Sequence, residues 1–263
     1  MHTYDRNYFK IALPAALEGL FMILLASTDL IMVGALGALS IAAVSIFMQP
    51  RLILLCFSRS LASSVTLLVS QKAGAGDTNG TSDIMKKSLT LCAIFMGLLH
   101  ILFYIFLDDI FYLMGANDEY MAEAMAYGPI ALAAVYVTSL TLILQAVQLG
   151  YGRTSVIMKT NVCGNVVNLA LNALLIFGFG PIPSLGVTGA AIGTLVSTIF
   201  TLAWTTWILK NESFFSGGSY LPDRAYFHRM MPIILSILSE QGSERVGMVL
   251  FSRMAAGLGT IPF

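Results

Sequence analysis

Seven stretches of this chain are long and apolar enough to cross a bilayer, and that repetition limits the fold more than any other feature. They lie near 11–36, 46–70, 88–107, 126–149, 157–177, 188–209 and 231–252. A hydrocarbon core is crossed by about 20 helical residues, so each run predicts one transmembrane helix. The composition agrees. Of 263 residues, 57% are hydrophobic and 11% charged, where soluble domains carry about 25% charge. The expected fold is all-α, a polytopic membrane helix bundle. Pro14, Pro129 and Pro232 fall near predicted helix starts, where a missing N–H costs little. Pro50 either kinks the second span or marks its true start.

Charge sets the orientation. Arg6 and Lys10 precede the first run; Lys72, Lys86 and Lys87 follow the second; Arg153 and Lys159 follow the fourth; Lys210, Arg224 and Arg229 follow the sixth. Loops after the first, third and fifth runs hold no Lys or Arg, and the third instead carries Asp108, Asp109, Asp118, Glu119 and Glu123. The positive-inside rule makes the basic side cytoplasmic, so the N-terminus is expected inside a multi-pass plasma or inner membrane. On that side the sequons at Asn79 and Asn211 should stay unglycosylated. The first run is too long for the core of a cleavable signal peptide. A net charge of zero gives no field to recruit nucleic acid. Cys56, Cys92 and Cys163 sit in apolar runs without a CxxC pattern and read as small buried hydrophobes.

Polar residues inside these runs carry the functional information. Glu18 and Asp29 share the first run, eleven residues apart, which places them on nearly one face about 16 Å apart along the axis. Intramembrane acids are costly enough to mark function. Asn161, Asn165, Asn168 and Asn172 repeat at 4, 3 and 4 residues and line one face of the fifth helix. Such amides either hold helices together or supply oxygens to a hard cation or a hydrogen bond to a cavity carboxylate. Thr138, Thr141, Gln145 and Gln148 form a weaker stripe that either lines the same cavity or packs. Ser236, Glu240 and Glu244 share a face of the seventh helix. Measured from the last cytoplasmic charges at 1.5 Å per residue, Glu240 is ~16 Å deep, Asn172 ~20 Å and Asp29 ~28 Å. Asp29 and Asn172 can therefore meet in the outer half.

Four arginines stand apart. Arg51 and Arg253 are placed to snorkel to the outer interface. Arg59 and Arg245 lie deeper, where a structural partner and a substrate or gating role are both open. His100 reads as a packing residue, GAGD (74–77) and GYGR (150–153) as helix caps, and Gly186, Gly189 and Gly193 as a surface for close helix approach.

Several of these segments together resemble the multidrug and toxic compound extrusion (MATE) transporters. Leu13-Pro14 with Asp29 and VGALGALSIAAVS resembles the family's first helix. LVSQKAGAGD, QLGYGRT, NLALNALLIFG, LGVTGAAIGT and MPIILSILSE resemble later segments in the family's order. The resemblance implies a secondary antiporter that exports organic, often cationic, compounds in exchange for Na+ or H+, without a cofactor. It implies a cation- or proton-binding set of Asp29, Asn168, Asn172 and Thr194, with Asp29, Asn168 and Asn172 as Na+ ligands, and Glu240 as the acid opening the second lobe. One branch has an aspartate where this chain has Asn172, which leaves the choice of ion open. Glu18, Gln145, Gln148, Asn165 and Glu244 are expected in the substrate cavity on physical grounds.

The family fold has twelve helices in two lobes, so 1–209 would be the N-terminal six-helix lobe, 210–230 a cytoplasmic linker, and 231–263 the first helix of a truncated second lobe. A separately encoded C-terminal lobe is the corresponding partner. Two alternatives remain: a lipid-linked saccharide flippase of the same superfamily, and a seven-helix receptor or scaffold. An inside N-terminus and intramembrane acids weigh against the receptor. A soluble enzyme is excluded by composition.

Overall fold

A computed structural model describes the backbone of residues 3–181, 183–212 and 214–257; within its helices the side chains of 3–11, 14–15, 22, 25–26, 245–246 and 248–257 lie outside the description. The described residues form helices α1 (Thr3–Gly34), α2 (Ala38–Ile46), α3 (Met48–Gly74), α4 (Thr78–Ile105), α5 (Leu107–Leu113), α6 (Asp118–Gly150), α7 (Thr154–Phe177), α8 (Gly186–Asn211) and α9 (Arg224–Gly257). The chain is an all-α membrane helix bundle. Five described segments are long and apolar enough to span: Ala38–Gly74, α4, α6, α7 and α8. The seventh apolar run lies within α9, and the first lies within α1 except for its last two residues, which follow Gly34; that these two also span is a reading of the sequence.

Apolar runs marked the membrane-crossing parts of the helices but not their ends. α4 starts at Thr78 and α6 at Asp118, well before the runs at 88 and 126, because helical hydrogen bonding continues through polar sequence outside lipid. Caps set these starts: Asp77 accepts from Gly80 N at 2.7 Å, and Asn117 from Glu119 N at 3.2 Å. Pro129 and Pro232 consequently lie inside α6 and α9 rather than at their starts. Pro50 is the third residue of α3, where a backbone N–H has no intrahelical acceptor. It marks a helix start, and the second run is accordingly divided at Phe47.

α6 is the hub, packed against α2, α3, α4, α7 and α8, while α7 packs on α1 and α8. α9 packs on α3. Phe47 anchors the α2–α3 junction, edge-on to Phe111 (centroids 6.5 Å) and Tyr127 (5.9 Å). The α7–α8 contact depends on small residues. A Cβ at Gly189 would come within 2.5 Å of Leu175 O. Cys92 is buried, and all three cysteines are free thiols. His100 packs edge-on against Tyr136 and bonds Met96 O at 2.7 Å.

The segment 212–223 is not a loose connector. Lys86 Nζ donates to Gly217 O at 2.5 Å, and Lys87 bridges Asp83 and Asp223, each at 2.7 Å. Asp83 in turn accepts from Ser219 N at 3.0 Å, and Arg153 pairs with Glu212 at 2.5 Å. The basic ends of α4, α6, α7 and α8 thus gather at one end of the bundle.

Candidate functional site

The stripe of asparagines on α7 faces α1 and divides into two stations. At the first, Asn161 Nδ2 donates to Glu18 Oε1, while Asn161 Oδ1 accepts from Gln145 Nε2 at 2.6 Å. At the second, eleven residues further along both helices, Asn172 Nδ2 donates to Asp29 Oδ1 at 3.0 Å. Each acid is separated from its amide by the same 143 positions. Helices α1 and α7 therefore run parallel and keep one register over three turns. Both acids of the first apolar run are met by amides of the fifth.

The second station is the more enclosed. Asn172 is 2% exposed and Asn168 8%. The amide of Asn168 is satisfied with its nitrogen toward Asp29 Oδ2 (3.1 Å) and its oxygen accepting from Thr194 N (3.2 Å) and Thr194 Oγ1 (3.3 Å), an orientation assigned from its neighbours. Two amides then hold the two oxygens of one carboxylate. Asn172 Oδ1 is buried without a hydrogen-bond partner, and a Cβ at Gly193 would overlap it. Glycine at 193 makes room for this oxygen. An acceptor in low dielectric with nothing to accept from is expensive and suits a group that arrives with positive charge or a proton.

The donors here are carboxylate, amide and hydroxyl oxygens, which suit a hard cation. Among the described residues there is no cluster of three or more His, Cys, Asp or Glu side chains. The chemistry therefore fits Na+ or a proton better than a transition metal.

Both stations adjoin an open cavity of about 690 Å³ between α1, α2, α3, α6, α7 and α8. Asp29, Asn161, Asn165, Asn168, Asn172 and Thr194 line it, as do Gln145, Thr138 and Thr141. The stripe on α6 and the stripe on α7 share one space. Three residues expected in the cavity, Gln148, Glu244 and Glu18, do not line it. Gln148 is 1% exposed and does not line the cavity; its Nε2 donates to Glu212 at 3.2 Å at the end of α6. Glu240 and Glu244 are exposed on α9 and do not line it either. Glu18 reaches the cavity only through Asn161.

Arg51, expected to snorkel to the outer interface, lines the cavity instead, and Arg59 lies deep in the bundle as expected. Arg51 and Arg59, with Leu55 between them, line the cavity from α3, and Arg51 lies within Coulombic range of Asp29 and Tyr127. Their eight-residue spacing was the available signal. The side chains of Arg245 and Arg253 lie outside the described residues.

The bundle thus encloses a polar cavity walled by Asp29 and by the amides of α6 and α7. The family model MatE matches residues 14–174, and the chain belongs to that family. It is 27% identical over 210 residues to "Probable multidrug resistance protein NorM" of Rhizobium meliloti (strain 1021), covering 80% of this chain and 45% of that protein. It is also 27% identical over 210 residues to the "FAD transporter" of Shewanella oneidensis, covering 78% and 45%. The Vibrio cholerae MATE transporter VcmN in its bent form superposes with a TM-score of 0.87 at 21% identity, over 97% of this chain and 57% of that one. The chain spans about half the length of the curated relatives it matches.

Proposed function

We propose that this chain supplies the ion-coupled lobe of a secondary transporter that exports small organic compounds in exchange for Na+ or H+. The carrying observation is Asp29, held by Asn172 at 3.0 Å on the wall of a cavity of about 690 Å³. Ligand pockets of roughly 300–1,000 Å³ take drug-sized molecules.

Coupling follows from what a cation does to this hydrogen bond. As a carboxylate, Asp29 only accepts, and the amides of Asn172 and Asn168 both donate to it. A proton converts one oxygen to a donor. A sodium ion draws in the oxygens, including Asn172 Oδ1 and Thr194 Oγ1, and turns amide nitrogens away. Either event weakens the second of the two side-chain links between α1 and α7, leaving that of Glu18 with Asn161 in place. The Asp29 end of the α1 wall is then free to shift about the retained link, which is the differential interaction that a two-state transporter needs.

In this reading residues 1–209 form the ion-binding lobe, 210–230 the connection, and 231–263 the opening of a second lobe. Glu240 and Glu244 on α9 would meet that lobe, present in the same chain or supplied separately. The N-terminus is cytoplasmic and the membrane is the plasma or inner membrane. The test uses vesicles loaded with a panel of fluorescent compounds of differing charge. Asp29→Asn is expected to abolish the dependence of efflux on an imposed Na+ or H+ gradient while the protein remains inserted. Undiminished gradient dependence in that variant overturns the assignment.

A further inference from the structure

The cavity's charges are unequally committed. Its acids are already bonded to the wall: Asp29 to Asn172, and Glu18 to the wall residue Asn161. Its arginines are not. Among the described residues, neither Arg51 nor Arg59 forms a salt bridge or a side-chain hydrogen bond, although both are exposed to the cavity. The exposed carboxylates of α9, Glu240 and Glu244, likewise form no ion pair with them. What the wall still offers an incoming molecule is therefore donor capacity of positive charge.

We infer that the cavity binds organic anions, a carboxylate or phosphate group being taken by Arg59 and the remainder by the apolar wall. This rests on the cavity being the substrate site, and it reverses the expectation of cationic substrates drawn from family resemblance. Arg51 and Arg59 sit two turns apart on α3, about 12 Å along the axis. The guanidinium is planar, always charged, and matched to two oxygens of a carboxylate or phosphate. Lining the same space are Phe47, Met48, Leu55, Tyr127 and Leu142, which suit a flat apolar body. Arg51 is also in Coulombic range of Asp29, so its charge is partly spent there. Arg59, which pairs with no carboxylate among the described residues, is the primary anion-binding residue.

The experiment measures equilibrium binding to the whole chain in phosphatidylcholine nanodiscs. Three probes share a dansyl body: dansyl-glycine (anionic), dansyl amide (neutral) and a dansyl quaternary amine (cationic). One charge-assisted hydrogen bond corresponds to roughly tenfold or more in Kd, so dansyl-glycine should bind at least about that much more tightly than the cationic probe. Arg59→Gln should remove this preference by weakening the anionic probe alone, and Arg59→Lys should keep part of it.

A cationic probe that binds as tightly as the anionic one overturns the inference but leaves the cavity as a substrate site. An unchanged preference in a folded Arg59→Gln variant also overturns it. Failure of all three probes overturns the cavity reading itself, and the inference with it. Adding phosphatidylglycerol to the discs separates two sources of the same chemistry. Displacement of dansyl-glycine by that lipid identifies a lipid headgroup as the anion, and persistence identifies a soluble one.

Discussion

Gly193 faces Asn172 where α7 meets α8. A Cβ there would overlap Asn172 Oδ1 and lie 3.3 Å from its backbone N. The side chain can yield only by leaving Asp29. Gly193→Ala is therefore expected to cost roughly 1–3 kcal/mol, as overpacking does, and to weaken the response to ions more than it lowers thermal stability. Melting in detergent with and without Na+ or at two proton concentrations checks this; a variant that melts lower but keeps the full ion-induced shift would place Gly193 in packing alone. At this scale the sequence was informative where spacing and chemistry coincide. Asn172 and Asp29 could be matched because depth and polarity agreed. Arg51 could not be placed, because a snorkelling arginine and a cavity arginine have the same local sequence; only the turn of α3 relative to α6 distinguishes them. Gln148 belongs by spacing to the cavity stripe on α6, yet it lies in that helix's last turn, where Glu212 captures it.

At the scale of elements, the connection between α8 and α9 is fastened to the end of α4. Lys87 is 8% exposed at its side chain and holds both Asp83 and Asp223. Asp223 lies outside the membrane-spanning helices; its hydrogen bond from Lys87, then one from Tyr226 N, holds its carboxyl below the ordinary value of 3.8. A depressed carboxyl contributes attachment that is complete above 3.8 and is lost as pH falls through the lowered value. Amide exchange in 212–223, corrected for the intrinsic rate at each pH, should stay protected through neutral and mildly acidic pH and lose protection only in that acid range. Lys87→Met should expose the same amides at neutral pH, by roughly tenfold or more if local opening is what limits exchange. Equal protection in that variant would show that Lys86 and Arg153 suffice. None of this was visible in the linear sequence. A run of Gly, Ser and Pro between two apolar segments reads as a connector, and its anchoring depends on contacts to residues more than 130 positions earlier.

For the whole molecule, the fold turns a sequence alternation into a spatial one. Lys72, Lys86, Lys87, Arg153, Lys210 and Arg224 lie at one end of the bundle, near the segment 212–223, whereas Asp108, Asp109, Asp118 and Glu119 lie on the loop and helix starts between α4 and α6. The equal-register pairing of α1 with α7 adds an independent constraint, because the two helices must cross in the same direction. An N-terminus on the basic side then fixes every later loop. Basic residues resist translocation while acidic ones contribute little, so the clasp at 212–223 should face the cytoplasm and the acidic loop the outside. Two exposed positions report this. Glu119→Cys should react with a membrane-impermeant maleimide in intact cells, and Leu221→Cys only after permeabilisation; the parent chain, with Cys56, Cys92 and Cys163 on helices, sets the background. The reverse pattern would put Asp29 in the half nearer the cytoplasm. The pairing of Asp29 with Asn172 would stand in either orientation.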